Sequence, residues 1–260
     1  MYNYSMERPH RPAAVTFLWL LLLPVVSLFP APEQSGARQL RLASSEYPPY
    51  FGEELPNQGV ISEIVREAYA RAGYEVKITF MPWSRSWEMT REGAFDGMFA
   101  LWYREERERW FAFSDPLLPN ELVLYKRRDT PIVFHHLEDL RGHRIGTHQG
   151  YAKPLRFVRA PYLKTEDATT DEMNLRKVYH RRVDLIVIDR AVARYLITRK
   201  FPEYQDELEA VEPALEHESQ HLVLSRRVAD YQARLADFNE GLRLITEDGT
   251  LARILEDHGF

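Results

Sequence analysis

Short apolar runs of strand length alternate with helical runs along this 260-residue sequence from Arg38 onward. Such alternation is typical of α/β architecture, in which helices cover the faces of a largely parallel sheet. The first elements are a strand, a helix, a strand, a helix and a strand at residues 40–43, 60–72, 76–81, 84–92 and 97–101. We therefore expect a β-α-β-α-β unit, with Gly73 ending its first helix.

A second unit of the same kind follows. Strands are predicted at residues 121–126, 144–147 and 183–188, and a helix at residues 170–180. The passage Val183-Asp184 into the last strand repeats Phe95-Asp96 of the first unit, which predicts two lobes of one architecture. The remaining residues, 229–260, are helical in pattern and divide at Gly249. No low-complexity linker follows residue 37, so we expect strands to join the lobes.

The composition excludes several classes of function. The net charge is −5 and basic residues are spread along the chain, so the concentrated basic face of a nucleic-acid-binding protein is absent and no such partner is expected. The lack of cysteine excludes disulfides, thiol catalysis and lipid attachment through an N-terminal cysteine. The hydrophobic fraction of 45% is ordinary for a folded globular protein.

The N-terminus has the three-part pattern of a secretory signal peptide. Arg8 and Arg11 supply the positive charge, residues 13–29 form an uncharged apolar run, and a small-x-small motif ends at Ala37. We predict a signal peptide at residues 1–37 and export to the periplasm. The alternative is an uncleaved membrane anchor, for which this run is short and is interrupted by Pro24.

Residues 95–116 contain the most informative motif. An Asp-Gly turn enters a short apolar strand, a charged loop follows at residues 104–109, and a second apolar element at residues 113–116 is expected to end at its proline. The carboxyl ends of strands in α/β sheets are where ligands bind. The segment resembles the central signature of the family 3 bacterial extracellular solute-binding proteins. Four further motifs occur in that family's order: YPPY, LRGHRIGTHQG, RRVDLIVIDR and EDGTLARILEDHG.

This resemblance implies a two-lobe periplasmic-binding-protein-like fold of type II, in which each lobe is a β-α-β-α-β sheet unit and the ligand cleft lies between them. Lobe 1 would comprise residues 38–120 and 218–260, and lobe 2 residues 121–217. The implied function is a monomeric receptor that closes on a small polar or zwitterionic, amino acid-like solute. It would deliver the solute to an ABC permease in the inner membrane, without a cofactor and without catalysis.

Two charged residues are candidate anchors for such a solute. Arg107 falls where the family has the arginine that binds the ligand carboxylate, and a guanidinium grips a carboxylate bidentately. The alternative is that Arg107 is a solvated charge within the charged run at residues 104–109. We keep this interpretation for Arg104 and Arg109. Asp189 falls where the resemblance implies the amine-binding carboxylate; its alternative role is a helix N-cap.

The remaining candidates would form the walls of the cleft. By the resemblance, Tyr47 stacks on the ligand, Trp83 and Trp102 line the cleft, and Gly150 presents backbone N–H groups in the turn before Tyr151. The chain lacks the hydroxyl residues usual after the third strand and after Gly150. These departures favour an aromatic-walled site for a small carboxylate or cation other than a standard α-amino acid.

Three rival functions remain open. His217–His221 fits the His-Glu-x-x-His pattern of zinc metalloproteases, but that chemistry needs a helix and the sequence predicts a strand there. A lyase resembling the cyclohexadienyl dehydratases would use the same scaffold, with Glu46 or Glu63 as its acid or base. A sensor subunit acting on a signalling partner is the third.

Overall fold

The computed structural model describes residues 1–3, 38–149, 151 and 153–260. The predicted signal peptide lies outside the described residues, apart from its first three. The strands are β1 (Arg38–Ser44), β2 (Tyr74–Phe80), β3 (Gly97–Trp102), β4 (Phe111–Arg127), β5 (Arg144–His148), β6 (Lys164–Ala168), β7 (Leu185–Asp189) and β8 (Leu208–Ser225). The helices are α1 (Val60–Arg71), α2 (Trp83–Arg91), α3 (Leu155–Val158), α4 (Asp171–Tyr179), α5 (Arg190–Lys200), α6 (Tyr231–Glu247) and α7 (Thr250–His258).

All eight strands belong to one curled sheet with the order β2-β1-β3-β8-β4-β7-β5-β6. In the first half β1 pairs in parallel with β2 and β3, and in the second half β5 pairs in parallel with β6 and β7. The two halves therefore have the same local topology, and the fold is the two-lobe type II arrangement that the sequence predicted.

An aspartate precedes β3 in the first half and β7 in the second, and it has the same structural role in both. The carboxylate of Asp96, just before β3, accepts a hydrogen bond from the Arg41 backbone N–H of β1 at 2.6 Å. Asp184, just before β7, accepts one from the Arg144 N–H of β5 at 2.8 Å. Each aspartate thus links the start of one strand to the neighbouring strand, which explains why Asp precedes both.

Long strands join the halves, as predicted, but β4 differs from our expectation. The element at residues 113–116 does not end at its proline: β4 continues through Pro116 and Pro119 to Arg127. Its pairing with β8 shifts register around both prolines. A strand tolerates proline at such irregularities because no ladder hydrogen bond is required there. The predicted lobe boundaries at residues 120–121 and 217–218 fall inside β4 and β8, and they stay predictions.

The sequence missed β6 and the short helix α3 before it, although it found β5 and α4 to within a few residues. Four of the five residues of β6, which has the sequence KTEDA, are exposed, and only Ala168 is buried. An edge strand with so little buried surface has no apolar run by which to recognise it. The helices, by contrast, have clear buried faces, such as Ile61, Ile64 and Ala68 on α1.

Gly97 allows β3 to pack closely at its start. A Cβ atom at this position would collide with the carbonyl oxygen of Val223 in β8, so no larger residue fits. The Asp-Gly turn seen in the sequence therefore serves a close strand contact as well as the entry into β3.

Within the described ranges, no helix is long and apolar enough to cross a membrane. The apolar run at residues 13–29 lies outside those ranges.

Candidate functional site

A cavity of about 100 Å³ lies at the carboxyl ends of parallel strands from both lobes. Its wall includes Ser45 directly after β1, Trp102 at the end of β3, His148 at the end of β5 and Asp189 at the end of β7. Side chains from strand ends converge at this edge of an α/β sheet, where small-molecule sites form. We refer to this space as the inner cavity.

Six of the seven residues that the sequence singled out line the inner cavity: Tyr47, Trp83, Trp102, Arg107, Tyr151 and Asp189. The seventh, Gly150, lies outside the described residues. The structure thus brings the candidates together, while their contacts with a ligand stay predictions.

Arg107 is a half-buried cation that has no carboxylate partner among the described residues. It ends a short 3₁₀ turn after β3, and its guanidinium donates to the Trp102 carbonyl oxygen at 2.9 Å and lies 5.2 Å from the ring centroid of Trp87. Burial, followed by the nearby charge of Arg104, lowers the pKa of Arg107. No carboxylate among the described residues lies within 4.0 Å of it. A partly desolvated guanidinium of this kind is well suited to bind an anion.

The two neighbouring arginines are engaged elsewhere. Arg104 pairs with Glu218 through two hydrogen bonds of 2.6 and 3.1 Å. Arg109 is exposed and its guanidinium lies 3.6 Å from the ring centroid of Trp110. The other cation on the cavity wall, Lys153, pairs with Asp167 at 2.9 Å. Arg107 is therefore the cation that the described part of the site leaves for a ligand.

Asp189 is almost fully buried, and the protein itself occupies both of its oxygens. It caps the N-terminus of α5, the alternative role that we considered from the sequence. Burial raises the pKa of Asp189, against the effect of its hydrogen bonds. The donors to its carboxylate are the Tyr50 hydroxyl, the Asn120 amide and the backbone N–H groups of Glu121, Ala191 and Val192. A ligand amine would compete with these donors, since a carboxylate has few acceptor sites.

The sequence reasoning missed Asp171, a second carboxylate on the cavity wall. Asp171 is the first residue of α4, directly after the N-cap Thr170. Acidic residues are common at this position because they interact favourably with the helix dipole, so the sequence gives no sign of a binding role. Its side chain has no hydrogen-bond or ion-pair partner among the described residues. Burial raises the pKa of Asp171 to about 7, and the charge of Asp189 adds to this effect. A ligand cation that pairs with such a carboxylate stabilises its ionised form and so lowers the raised pKa.

Aromatic rings line the cavity and meet across it. Tyr47 of lobe 1 contacts Tyr151 of lobe 2 edge to face, with 5.6 Å between the ring centroids, and it stacks on Tyr50. Tyr151 in turn stacks on the imidazole of His148 at 3.6 Å. Burial, followed by the charges of Asp189 and Asp171, raises the pKa of Tyr47. These neutral rings exclude water around the charged groups.

A wider space of about 890 Å³, the outer cleft, adjoins the inner cavity and shares Tyr47, Trp83, Tyr151 and Asp171 with it. Its walls carry several further carboxylates: Glu46, Glu53, Glu54 and Glu172. Among the described residues that line it, Lys200 is the only lysine or arginine, and it pairs with Glu172. The approach to the inner cavity is therefore acidic, which favours the entry of a cationic group.

The His-Glu-x-x-His motif lies within β8, so the predicted strand is confirmed. Residues four apart in a strand are about 13 Å apart, so His217 and His221 cannot hold one ion between them. His221 instead lies 2.8 Å, through Nδ1, from the Ser114 carbonyl oxygen. The described residues contain no cluster of three or more potential metal ligands.

The sequence model described as bacterial extracellular solute-binding proteins, family 3, matches residues 40–259. A search of curated proteins returned no match. The resemblance seen in the sequence motifs is therefore confirmed at the level of the family.

Solved structures with the same fold include ligand-binding domains and a sensor domain. A mutant of ArgBP from T. maritima has a TM-score of 0.70 at 22% identity, over 84% of this chain and 94% of that one. The GluR0 ligand-binding core from Nostoc punctiforme in complex with L-glutamate has a TM-score of 0.68 at 20% identity, over 84% and 98%. A histidine kinase sensor domain has a TM-score of 0.73 at 22% identity, over 85% and 96%.

Proposed function

The chain belongs to the family 3 bacterial extracellular solute-binding proteins, and from this premise we propose that it is a periplasmic receptor for a small zwitterionic, amino acid-like solute. In this proposal the protein closes on the solute without changing it chemically and presents it to an ABC permease. The ligand has a carboxylate that pairs with Arg107 and a cationic group that pairs with Asp171.

The observation that carries this proposal is the charge balance of the inner cavity. Of its charged side chains, Lys153 has a carboxylate partner and Asp189 has five donors, whereas Arg107 and Asp171 have no oppositely charged partner in the described part of the chain. A charge held partly out of water is destabilising unless it is paired, so one bound zwitterion would stabilise both groups. The acidic outer cleft and the aromatic walls support the same ligand class.

Two proteins of the same fold bind amino acids according to their structures. ArgBP has been solved in an arginine-bound form, and GluR0 in complex with L-glutamate. Neither exceeds 22% identity with this chain, so they support the ligand class and not a particular ligand.

Closure would follow from contacts to both lobes. Arg107 comes from the loop after β3 and Asp171 from the start of α4, so a ligand that pairs with both favours the closed arrangement. A ligand shifts such an equilibrium by its difference in affinity for the two states. The permease would then recognise the closed state.

The test begins with a thermal-shift screen of amino acids, polyamines and small carboxylates, followed by calorimetric titration of the best ligand. We expect Arg107→Ala to weaken its binding by about a hundredfold or more, because the ligand carboxylate would lose its charged partner in a site with little water. Arg109→Ala is the matched control, since this exposed arginine lies two residues away, and its affinity should equal that of wild type. Wild-type affinity in Arg107→Ala would refute the proposed role of this residue.

A second candidate function is favoured by one observation. A carboxyl group whose pKa burial raises to about 7 is suited to general acid or base catalysis, and Asp171 is such a group. Of the residues first considered, Glu63 bonds to His258 and Asn57 instead of lining the inner cavity, and Glu46 lines the outer cleft. A lyase related to the cyclohexadienyl dehydratases would convert prephenate to an aromatic product with loss of water and carbon dioxide. Appearance of that product by ultraviolet absorbance, and its loss in Asp171→Asn, would favour the enzyme over the receptor.

A further inference from the structure

Buried polar atoms without a hydrogen-bond partner occur in five side chains of the described structure: Ser62, Tyr69, Thr90, Asn174 and Gln220. Gln220 is the one among them that lines the inner cavity. It is fully buried, and both its carbonyl oxygen and its amide nitrogen lack a partner among the described residues. Buried side-chain amides are nearly always hydrogen-bonded, so this exception at a ligand cavity calls for a functional reason.

Neighbouring polar groups are already engaged with one another. Gln220 lies on β8 opposite Trp102 of β3, and such antiparallel partners project from the same face of the sheet. The Trp102 indole N–H donates to Asn120 at 2.8 Å, and Glu218, two residues before Gln220, pairs with Arg104. These contacts leave the amide of Gln220, a residue of the cavity wall, without a competing protein partner in the described structure.

We infer that Gln220 is a specificity-determining residue, whose amide recognises a ligand group that both donates and accepts hydrogen bonds, such as a carboxamide or a ureido group. This inference rests on the proposed function, because it assumes that the inner cavity holds a small solute. It adds a requirement on the part of the solute that Arg107 and Asp171 do not bind.

The chemistry of the amide sets this preference. Its oxygen can only accept and its nitrogen can only donate. A ligand carboxylate satisfies the nitrogen alone, an ammonium group satisfies the oxygen alone, and an alkyl group satisfies neither. A carboxamide satisfies both atoms at once. Each of the other three groups leaves a buried polar atom of Gln220 unpaired, and this cost in binding free energy disfavours it.

The experiment compares three probes that differ at the end of the side chain: L-glutamine, L-glutamate and L-ornithine. Calorimetric titration is performed with wild type, Gln220→Met and the control Gln232→Met, which changes an exposed glutamine on α6. We expect wild type to bind L-glutamine at least tenfold more tightly than the other two. Gln220→Met should lose about tenfold to a hundredfold in affinity for L-glutamine and change little for the others.

A thermal unfolding measurement separates recognition from folding. Gln220→Met replaces an unpaired buried amide by an apolar side chain of similar length, so the unliganded variant should unfold at the same temperature as wild type or higher. If all three probes bind Gln220→Met as tightly as wild type, or all lose affinity by the same factor, the proposed role of Gln220 is overturned. The proposed function would not be affected by this result. If no probe binds wild type and no other amino acid does in the screen, the proposed function fails and this inference fails with it.

Discussion

Asp171 is a partly buried carboxylate on the wall of the inner cavity, near a second carboxylate, Asp189. Burial raises the pKa of Asp171 from 3.8 to about 7, so near neutral pH the protein holds an ionised group in an unfavourable environment. In the unfolded chain the group ionises near pH 4. Between about pH 4 and pH 7 the folded state therefore binds the proton more tightly, and this residue's contribution to the free energy of unfolding decreases as the pH rises.

We predict that Asp171→Asn stabilises the unliganded protein in a pH-dependent way. The gain in the free energy of unfolding should be about 1–4 kcal/mol at pH 8 and smaller at pH 5, where the wild-type carboxyl is already protonated in the folded state. Urea unfolding at the two pH values measures it. Glu166→Gln, which neutralises an exposed carboxylate on β6, should show little gain at either pH. An equal gain for Asp171→Asn at both pH values would contradict the raised pKa.

At the scale of single elements, β3 departs from regular strand geometry where it borders the cavity. Ala100 has a φ of 65°, in the left-handed region, and the pairing of β3 with β8 shifts between Met98 and Leu101. This β-bulge directs the end of the strand, and with it Trp102, toward the inner cavity. A non-glycine residue in this conformation costs about 1–2 kcal/mol.

We predict that Ala100→Gly raises the free energy of unfolding by about 0.5–1 kcal/mol, because glycine adopts a positive φ without steric cost and this outweighs its greater entropy in the unfolded chain. Chemical denaturation measures the change. Ala43→Gly in β1 is the control: this buried alanine does not have a positive φ, so its replacement should destabilise the protein. Destabilisation by Ala100→Gly would show that the methyl group contributes more through packing than the backbone loses through strain.

At the scale of the whole molecule, β4 and β8 run through both halves of the sheet, and side chains join the lobes at the cavity. The Tyr50 hydroxyl of lobe 1 donates to Asp189 of lobe 2, and the rings of Tyr47 and Tyr151 touch. Both contacts lie at the ligand site. The ligand is therefore expected to add to contacts that already favour closure.

We predict that Tyr151→Ala lowers the affinity for the receptor's ligand by about threefold to tenfold, because an aromatic pair contributes about 0.5–1.5 kcal/mol. The radius of gyration of the unliganded variant, measured by X-ray scattering, should exceed that of wild type. Tyr162→Ala, in the same lobe but away from the cavity, is the control. Unchanged affinity and unchanged dimensions in Tyr151→Ala would exclude this contact from closure.

Several parts of the site could be predicted from the sequence because short motifs carry them. Arg107, Tyr47 and Asp189 were predicted from their match to the family's motifs, and each lies at or after a strand end that borders the inner cavity. Gln220 and Asp171 had no such signal. Gln220 occupies an unspecified position of the His-Glu-x-x-His pattern in β8, and Asp171 resembles an ordinary acidic residue in the first turn of a helix.

The sequence by itself determined the order of the elements and the two-lobe architecture, since apolar periodicity and turn residues act locally along the chain. Tertiary structure alone decided which charged and polar groups are left for a ligand. Arg104 and Arg107 are three residues apart on one loop, yet Glu218 from a distant strand pairs with the first and leaves the second to the cavity. Partners of this kind lie far apart in the chain, so only folding determines which groups they satisfy.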